Sequence, residues 1–460
     1  MRHIFKLLLF LISGITLMAC HSHEKWMEPF TLQESQSIMT DQSYANFSLS
    51  GQFMLTDGAE GRILFHTDGE SGYTVLLHNG EIDGTRKTGS LASVRNLYRS
   101  LAEDNQWFNL DITVRGKNIA VAVNGTDVVC YTEPKQPFRT EEHAKQLLGE
   151  GKLMFCADKG TLQVKELHIN ALDANEVNPN DTLPAIDEQN DDIIRLQQMD
   201  FPVIDYHVHL KGGLTKEQAH AMSMNYGINY GVAPNAGEGG VGRMLADDEE
   251  VISYLEEVKP LPFLCGVQGE GRRWTQTFSP EALNKFSYLF TDAMTIIDHK
   301  QRNSRLYHEE EVHFDGVTPD QYVERIVEQL ELILTNEPAD FYANPFFLPK
   351  VLQGDYESYW TESRVNRVLD ILQQNKMALE INPRYMIPSM RIIKMAKERG
   401  LKFIFGTNNK DADFGKLEYC MQAIKECGIT ADDIWFPSMS IRKDRKTVVY
   451  NDFDHIIMQY

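Results

Sequence analysis

Two histidines, His207 and His209, end the apolar run FPVIDYHVHL, which also carries Asp205. Residues two apart on a strand face the same side, so both imidazoles point one way. Neutral imidazole is the commonest side-chain metal ligand, although two histidines at a strand edge are also an ordinary surface feature. Later apolar runs end in Asn235, in Gln268 and Glu270, in Asp292, in Asn344, in Glu380 and Asn382, and in Asn408 and Asn409. A carboxylate beside an apolar strand is costly unless paired or metal-bound, which singles out Glu270, Asp292 and Glu380. The asparagines are donors and acceptors suited to sugar hydroxyls, and equally they are turn formers. Lys211, Arg243, Arg272, Arg273, Arg384 and Lys410 fall in the loops after these runs. They are placed to neutralise an anionic group or a developing oxyanion, or else to serve as solvated rim.

These residues need elements to position them. From Phe201 onward seven short apolar runs are recognisable: FPVIDYHVHL, INYGVAPNAG, LPFLCGVQGEG, FSYLFTDAM, ADFYANPFF, MALEINPR and LKFIFGTNN. Between them lie amphipathic segments such as DDEEVISYLEEV, TPDQYVERIVEQLELIL and TESRVNRVLDILQQN, several stopped by a glycine or asparagine (Gly227, Asn375, Gly400, Gly428). That alternation predicts a parallel sheet closed into a barrel with helices outside, and in such a barrel the site lies at the carboxyl ends of the strands. From Phe30 to Leu172 the pattern is instead all β, with alternating runs at short spacing and turn signals such as Asn124-Gly125. It predicts a two-sheet sandwich. Residues 173–198, rich in Asp, Asn and Pro over their first part, read as a linker. At 460 residues the chain has room for both domains.

The HxH on the first barrel strand, the glutamate closing the third, the Glu-x-Asn of the sixth and Gly406-Thr407 after the seventh resemble the PHP (polymerase and histidinol phosphatase) superfamily of metal-dependent phosphoesterases. The resemblance spans roughly residues 201–460 and implies a distorted seven-stranded barrel that activates water with bound metals. It implies His207, His209 and Glu270 as metal ligands. Asp292 stands near the position of a further family ligand and is added to that set. The chain departs from the pattern at Val232-Ala233-Pro234-Asn235, at Asn344-Pro345 and at Asn408-Asn409-Lys410. Amides are weaker ligands than carboxylates or imidazoles, so the expectation is one or two divalent ions (Zn, Mn, Fe or Mg). Glu270, Asp292, Glu380 and Lys211 are expected to be catalytic. Asn235, Arg272, Asn344, Asn382, Asn408, Asn409 and Lys410 are expected to bind substrate.

The stretch Trp107–Thr126, with Thr88-Gly89-Ser90-Leu91, resembles the 3-keto-disaccharide hydrolase domains, a concanavalin-like jelly roll, which implies contact with carbohydrate. Tyr73, His78, Arg95, Tyr98 and Trp107 would supply an aromatic and polar sugar-facing surface, or else core and rim. The first 19 residues have the charge and apolar pattern of a signal peptide, and Leu17-Met18-Ala19-Cys20 resembles a bacterial lipobox. The resemblance implies lipidation of Cys20, with residues 20–29 as a tether and the chain held at the bacterial cell envelope. The formal charge of −21 makes nucleic acid a poor partner. Cys130 and Cys156 either pair or remain buried thiols, and Cys420 and Cys427 are too far apart on one helix to bridge. Together these features predict an envelope-anchored, metal-dependent hydrolase of carbohydrate. The metal site is expected in the barrel, with the sandwich binding or cleaving sugar; a non-catalytic glycan-binding lipoprotein, a phosphoesterase, and hydrolysis in the sandwich with an accessory barrel are the alternatives.

Overall fold

The computed structural model describes residues 24–173, 185–237, 242–271, 274–441, 448–450 and 456–458. The signal segment, Cys20 and Arg272 lie outside them. The first domain is a sandwich of two antiparallel sheets. Its strands are β1 (Glu24–Met27), β2 (Phe30–Gln33), β3 (Gln36–Met39), β4 (Phe47–Leu55), β5 (Glu60–Thr67), β6 (Tyr73–His78), β7 (Phe108–Arg115), β8 (Asn118–Val123), β9 (Thr126–Thr132), β10 (Lys152–Lys159) and β11 (Thr161–Ala171). One sheet runs β1-β11-β4-β7-β8-β9, with β2 also on β11, and the other runs β3-β10-β5-β6. The period-2 pattern of the sequence is the cause: in β6 and β7 alternate residues are buried between the sheets. β1 lies in the stretch expected to be a tether, pairing with β11 from Glu24↔Asn170 onward. All five described cysteines are free and buried, Cys130 and Cys156 among them.

The second domain is a closed barrel. Its seven parallel strands each fall in one of the seven apolar runs: β12 (Ile204–Val208), β13 (Asn229–Val232), β16 (Leu264–Glu270), β17 (Tyr288–Thr291), β20 (Phe341–Tyr342), β21 (Ala378–Ile381) and β22 (Phe403–Phe405). Pairing runs around the ring and closes through β22 on β12. The short strands β14 (Asn235–Gly237) and β15 (Met244–Leu245) extend from β16. A two-stranded hairpin of β18 (Thr295–Ile297) and β19 (Asn303–Arg305) follows β17. Helices pack outside, and the sequence sets their ends. Thr215 and Thr318 form capping boxes with Gln218 and Gln321, and Gly227 and Gly428 take the left-handed conformation just past helix ends.

Aromatic side chains fill the lower half of the barrel. The Tyr288 ring lies across β13 and β16, and a Cβ added at Gly266 would sit 2.0 Å from it. Its hydroxyl donates to the Tyr206 carbonyl at 2.7 Å, and Tyr206 donates to the Trp435 carbonyl at 2.9 Å. Among the described residues this floor fills the barrel beneath the end where the strands finish.

The sandwich is fastened to the opposite end. Residues 79–107, between β6 and β7, press against the amino-terminal ends of the barrel strands. Tyr98 is buried in the barrel core with its ring 6.1 Å from Phe436. Arg95 donates to the carbonyls of Met224 and Asn225, and Arg99 to those of Leu261 and Phe263. The expected linker is ordered in its second half. Glu188 is buried and accepts from Tyr131, Arg139 and the Phe138 amide. Helix α1 (Asp192–Gln198) then places Ile194 in the sandwich core and Leu196 in the barrel core.

Candidate active site

β12 is held in register at its functional end by Asp205. The buried carboxylate accepts from the His207 amide at 3.1 Å, the Thr407 amide at 3.0 Å and the Thr407 hydroxyl at 2.5 Å. Burial nevertheless pushes it up to about 6. Asn409 clamps the next residue from both sides, accepting from the His209 amide at 2.7 Å and donating to its carbonyl at 2.8 Å. The two imidazoles are thereby fixed with their Nε2 atoms 3.1 Å apart.

The outer partners of the rings set their protons. His209 Nδ1 lies 2.8 Å from the Ala233 carbonyl, which can only accept, so this nitrogen carries the proton. His207 Nδ1 lies 2.6 Å from Glu380 Oε1, both groups fully buried. Burial raises the carboxyl and lowers the imidazole, which favours a neutral acid beside a neutral ring over an ion pair. Glu380 then donates to Nδ1, and His207 Nε2–H faces two acceptors, His209 Nε2 and, at 2.9 Å, Gln268 Oε1. The amide orientation agrees, because Gln268 Nε2 donates to Glu270 and to Asp292 at 3.1 Å each. Gln268 thus lies between the imidazoles and the carboxylates.

A cavity of about 260 Å³ opens above this network, lined by His209, Lys211, Asn235, Gln268, Glu270, Asp292, Met294, Tyr307, Asn344, Arg384, Tyr385, Asn408 and Lys410. The structure therefore brings together most of the expected residues. Asn382 and Asn409 are buried behind the lining, Asn382 donating to Asn344 and Glu380. Asn344 and Asn408 have left-handed backbones at φ 46° and 42°, a conformation asparagine tolerates, so they serve both turn and wall. Arg243 points elsewhere, paired with Glu257 and stacked on Tyr254. Gln268, named among the polar strand ends but assigned no role there, joins the site because it lies two residues from Glu270 on one strand face. Tyr307, brought in after the β18–β19 hairpin, carries no local signal. Its hydroxyl is pushed well up by burial and by Glu270 and Asp292.

A divalent ion fits the imidazole pair. Two ligands each ~2.1 Å from a divalent ion stand about 3.0 Å apart at a right angle and about 3.4 Å apart at a tetrahedral one, a range that includes the Nε2 spacing of 3.1 Å; the Ala233 carbonyl accepts from His209 as an outer partner does, and Glu380 would do so for His207 once its proton passes to Nδ1. The carboxylates are arranged differently, since Glu270 and Asp292 meet the Gln268 amide rather than the imidazoles. Among the described residues no three His, Cys, Asp or Glu side chains form a ready metal cluster.

Of the five sandwich residues that could face a sugar or else form core and rim, three belong to the core and His78 and Trp107 to the rim. Tyr73, Arg95 and Tyr98 are buried, Tyr73 donating to Glu133 and the other two joining the barrel. Trp107 stays exposed beneath the Lys165 ammonium, 4.1 Å from its ring centre.

Residues 28–170, the sandwich, match the family described as the 3-keto-alpha-glucoside-1,2-lyase-like domain. A candidate glycosyl hydrolase of Parabacteroides distasonis is 15% identical over 32% of this chain and 81% of its own, with a TM-score of 0.29. The carbohydrate-binding module CBM66 of Bacillus subtilis is 13% identical over 32% of this chain and 91% of its own, with a TM-score of 0.23. No curated protein matches the chain.

Proposed function

We propose that this protein is a carbohydrate-processing hydrolase whose chemistry takes place in the barrel cup, with the sandwich as its fixed support. The observation that carries this reading is the convergence of His209, Gln268, Glu270, Asp292 and Lys211 on one open cavity, while Tyr73, Arg95 and Tyr98 of the sandwich are buried. The family match of the sandwich supports carbohydrate as the substrate class.

Each side chain has work suited to its surroundings. Glu270 and Asp292 accept the proton of an attacking water. Lys211, drawn down to about 8 by burial and by Arg384, donates to the departing oxygen at neutral pH. Asn235, Asn344 and Asn408 hold sugar hydroxyls, and Glu380 and Asp205 keep the imidazoles in place. A divalent ion on His207 and His209, with Glu270 or Asp292, would supply Lewis acidity and a more acidic water. A lipid on Cys20, outside the described residues, would hold the molecule at the envelope, and Cys20→Ser should move it to the soluble fraction.

The closed hydrogen-bond net around Gln268 favours a second reading, a barrel that binds glycans without cleaving them. One experiment separates the two. Ordinary glycosides, 3-keto-glycosides and phosphate esters are offered to the purified protein with and without added divalent ions. We expect turnover of a glycoside that falls at least about 10-fold in His207→Ala, the scale of losing a group that holds or orients a metal site, and that Trp107→Ala leaves intact. Unchanged turnover in His207→Ala would place the chemistry elsewhere, and binding without turnover would establish the second reading.

A further inference from the structure

Many arginines of the barrel are already committed to carboxylates, and three cations at the cup are not. Arg302, Arg305, Arg364, Arg367 and Arg391 each hold a carboxylate. Lys211, Arg384 and Lys410 converge on the cup, and among the described residues none of them has a carboxylate ion pair. Arg384 is pre-positioned, with one terminal nitrogen on the Asn408 carbonyl at 2.8 Å and its guanidinium 4.9 Å from the Tyr385 ring centre. The remainder of its planar fork is left for another acceptor. Arg384 and Lys410 also line an adjoining groove of about 560 Å³, so they stand at the boundary between cup and groove.

Counting charges sharpens the point. The chain as a whole carries −21, yet the described lining of the cup holds three cations against Glu270 and Asp292. The two carboxylates leave the described lining with one cation in excess, a charge that a single anionic group on a ligand would balance. A planar carboxylate suits the guanidinium fork, and a cavity at the small end of ligand pockets, ~300 Å³, suits a single sugar ring. We propose that the cup takes a sugar bearing one carboxylate, a uronic acid unit, seated by Arg384, Lys410 and Lys211. The proposal rests on the cup being the carbohydrate site.

Calorimetric titration of the full chain with D-glucuronate, D-glucose and D-glucose 6-phosphate tests it. The expected result is glucuronate binding at least about 10-fold tighter than glucose. The gap should narrow from 0.15 to 1 M salt, as screening requires, and shrink several-fold in both Arg384→Met and Lys410→Met. Lys410 is exposed, so its variant carries the test should Arg384→Met fold poorly. Equal affinities, no glucuronate binding, tighter binding of glucose 6-phosphate, or a preference that survives in Lys410→Met would each overturn the proposal. The location of the chemistry is read separately, from glycoside turnover in His207→Ala.

Discussion

At the scale of single residues, Gln268 decides how its neighbours share protons. It accepts from His207 and donates to two carboxylates, so one neutral amide links the basic and acidic halves of the cup. Once the His207 Nε2 proton departs, two lone pairs face one another across 3.1 Å, an arrangement that a cation relieves. Zinc or manganese should therefore raise thermal stability, by about 2.7 kcal/mol at a hundred times the dissociation constant. His209→Ala should remove that shift in differential scanning fluorimetry. HxH on a strand was enough to foresee both imidazoles on one side. Their link to Glu380, 173 positions away, was not legible, because it depends on β22 lying between β12 and β21 and bringing both strand ends to one side of the ring.

At the scale of elements, the barrel strands were readable because each is a short apolar run between turn signals, with a helix-period segment following. What the runs did not reveal is why Gly231 and Gly266 interrupt them. Both glycines make room for Tyr288. Gly266→Ala should cost about 1–3 kcal/mol or more through overpacking, measured by urea unfolding. Adding Tyr288→Leu should recover part of that loss, a non-additivity expected of residues in contact. The β18–β19 hairpin that delivers Tyr307 depends on Glu311, which bonds the Arg305 amide at 2.9 Å and the Arg305 side chain. Arg305 holds the Glu311 carboxyl down to about 2. Because the folded value lies below the ordinary one, the stabilisation is complete above about pH 4.5 and is lost as pH falls toward 2. Hydrogen-exchange protection of the Arg305 amide should fall across that window, and in Glu311→Gln it should be low already at neutral pH.

At the scale of the whole molecule, the sandwich and barrel share contacts that composition concealed. The stretch after residue 173 reads as a polar spacer, yet Glu188 is buried against Tyr131 and Arg139, and α1 contributes one residue to each core. Local composition cannot show such pairings, since the partners lie about fifty residues back in the chain. Calorimetry should accordingly show one cooperative transition. Tyr98→Ala, which empties a slot in the barrel core at a cost of about 3–5 kcal/mol, should split it into two. The barrel floor has a kinetic corollary. With Tyr288, Tyr206 and Trp435 closing one end and the sandwich fastened beneath, a ligand reaches the cup from the side where the strands end. Were a glycoside cleaved there as proposed, both fragments would leave on that same side, the outer one first. The inner fragment would then act as a competitive product inhibitor, which initial rates with that product added would show.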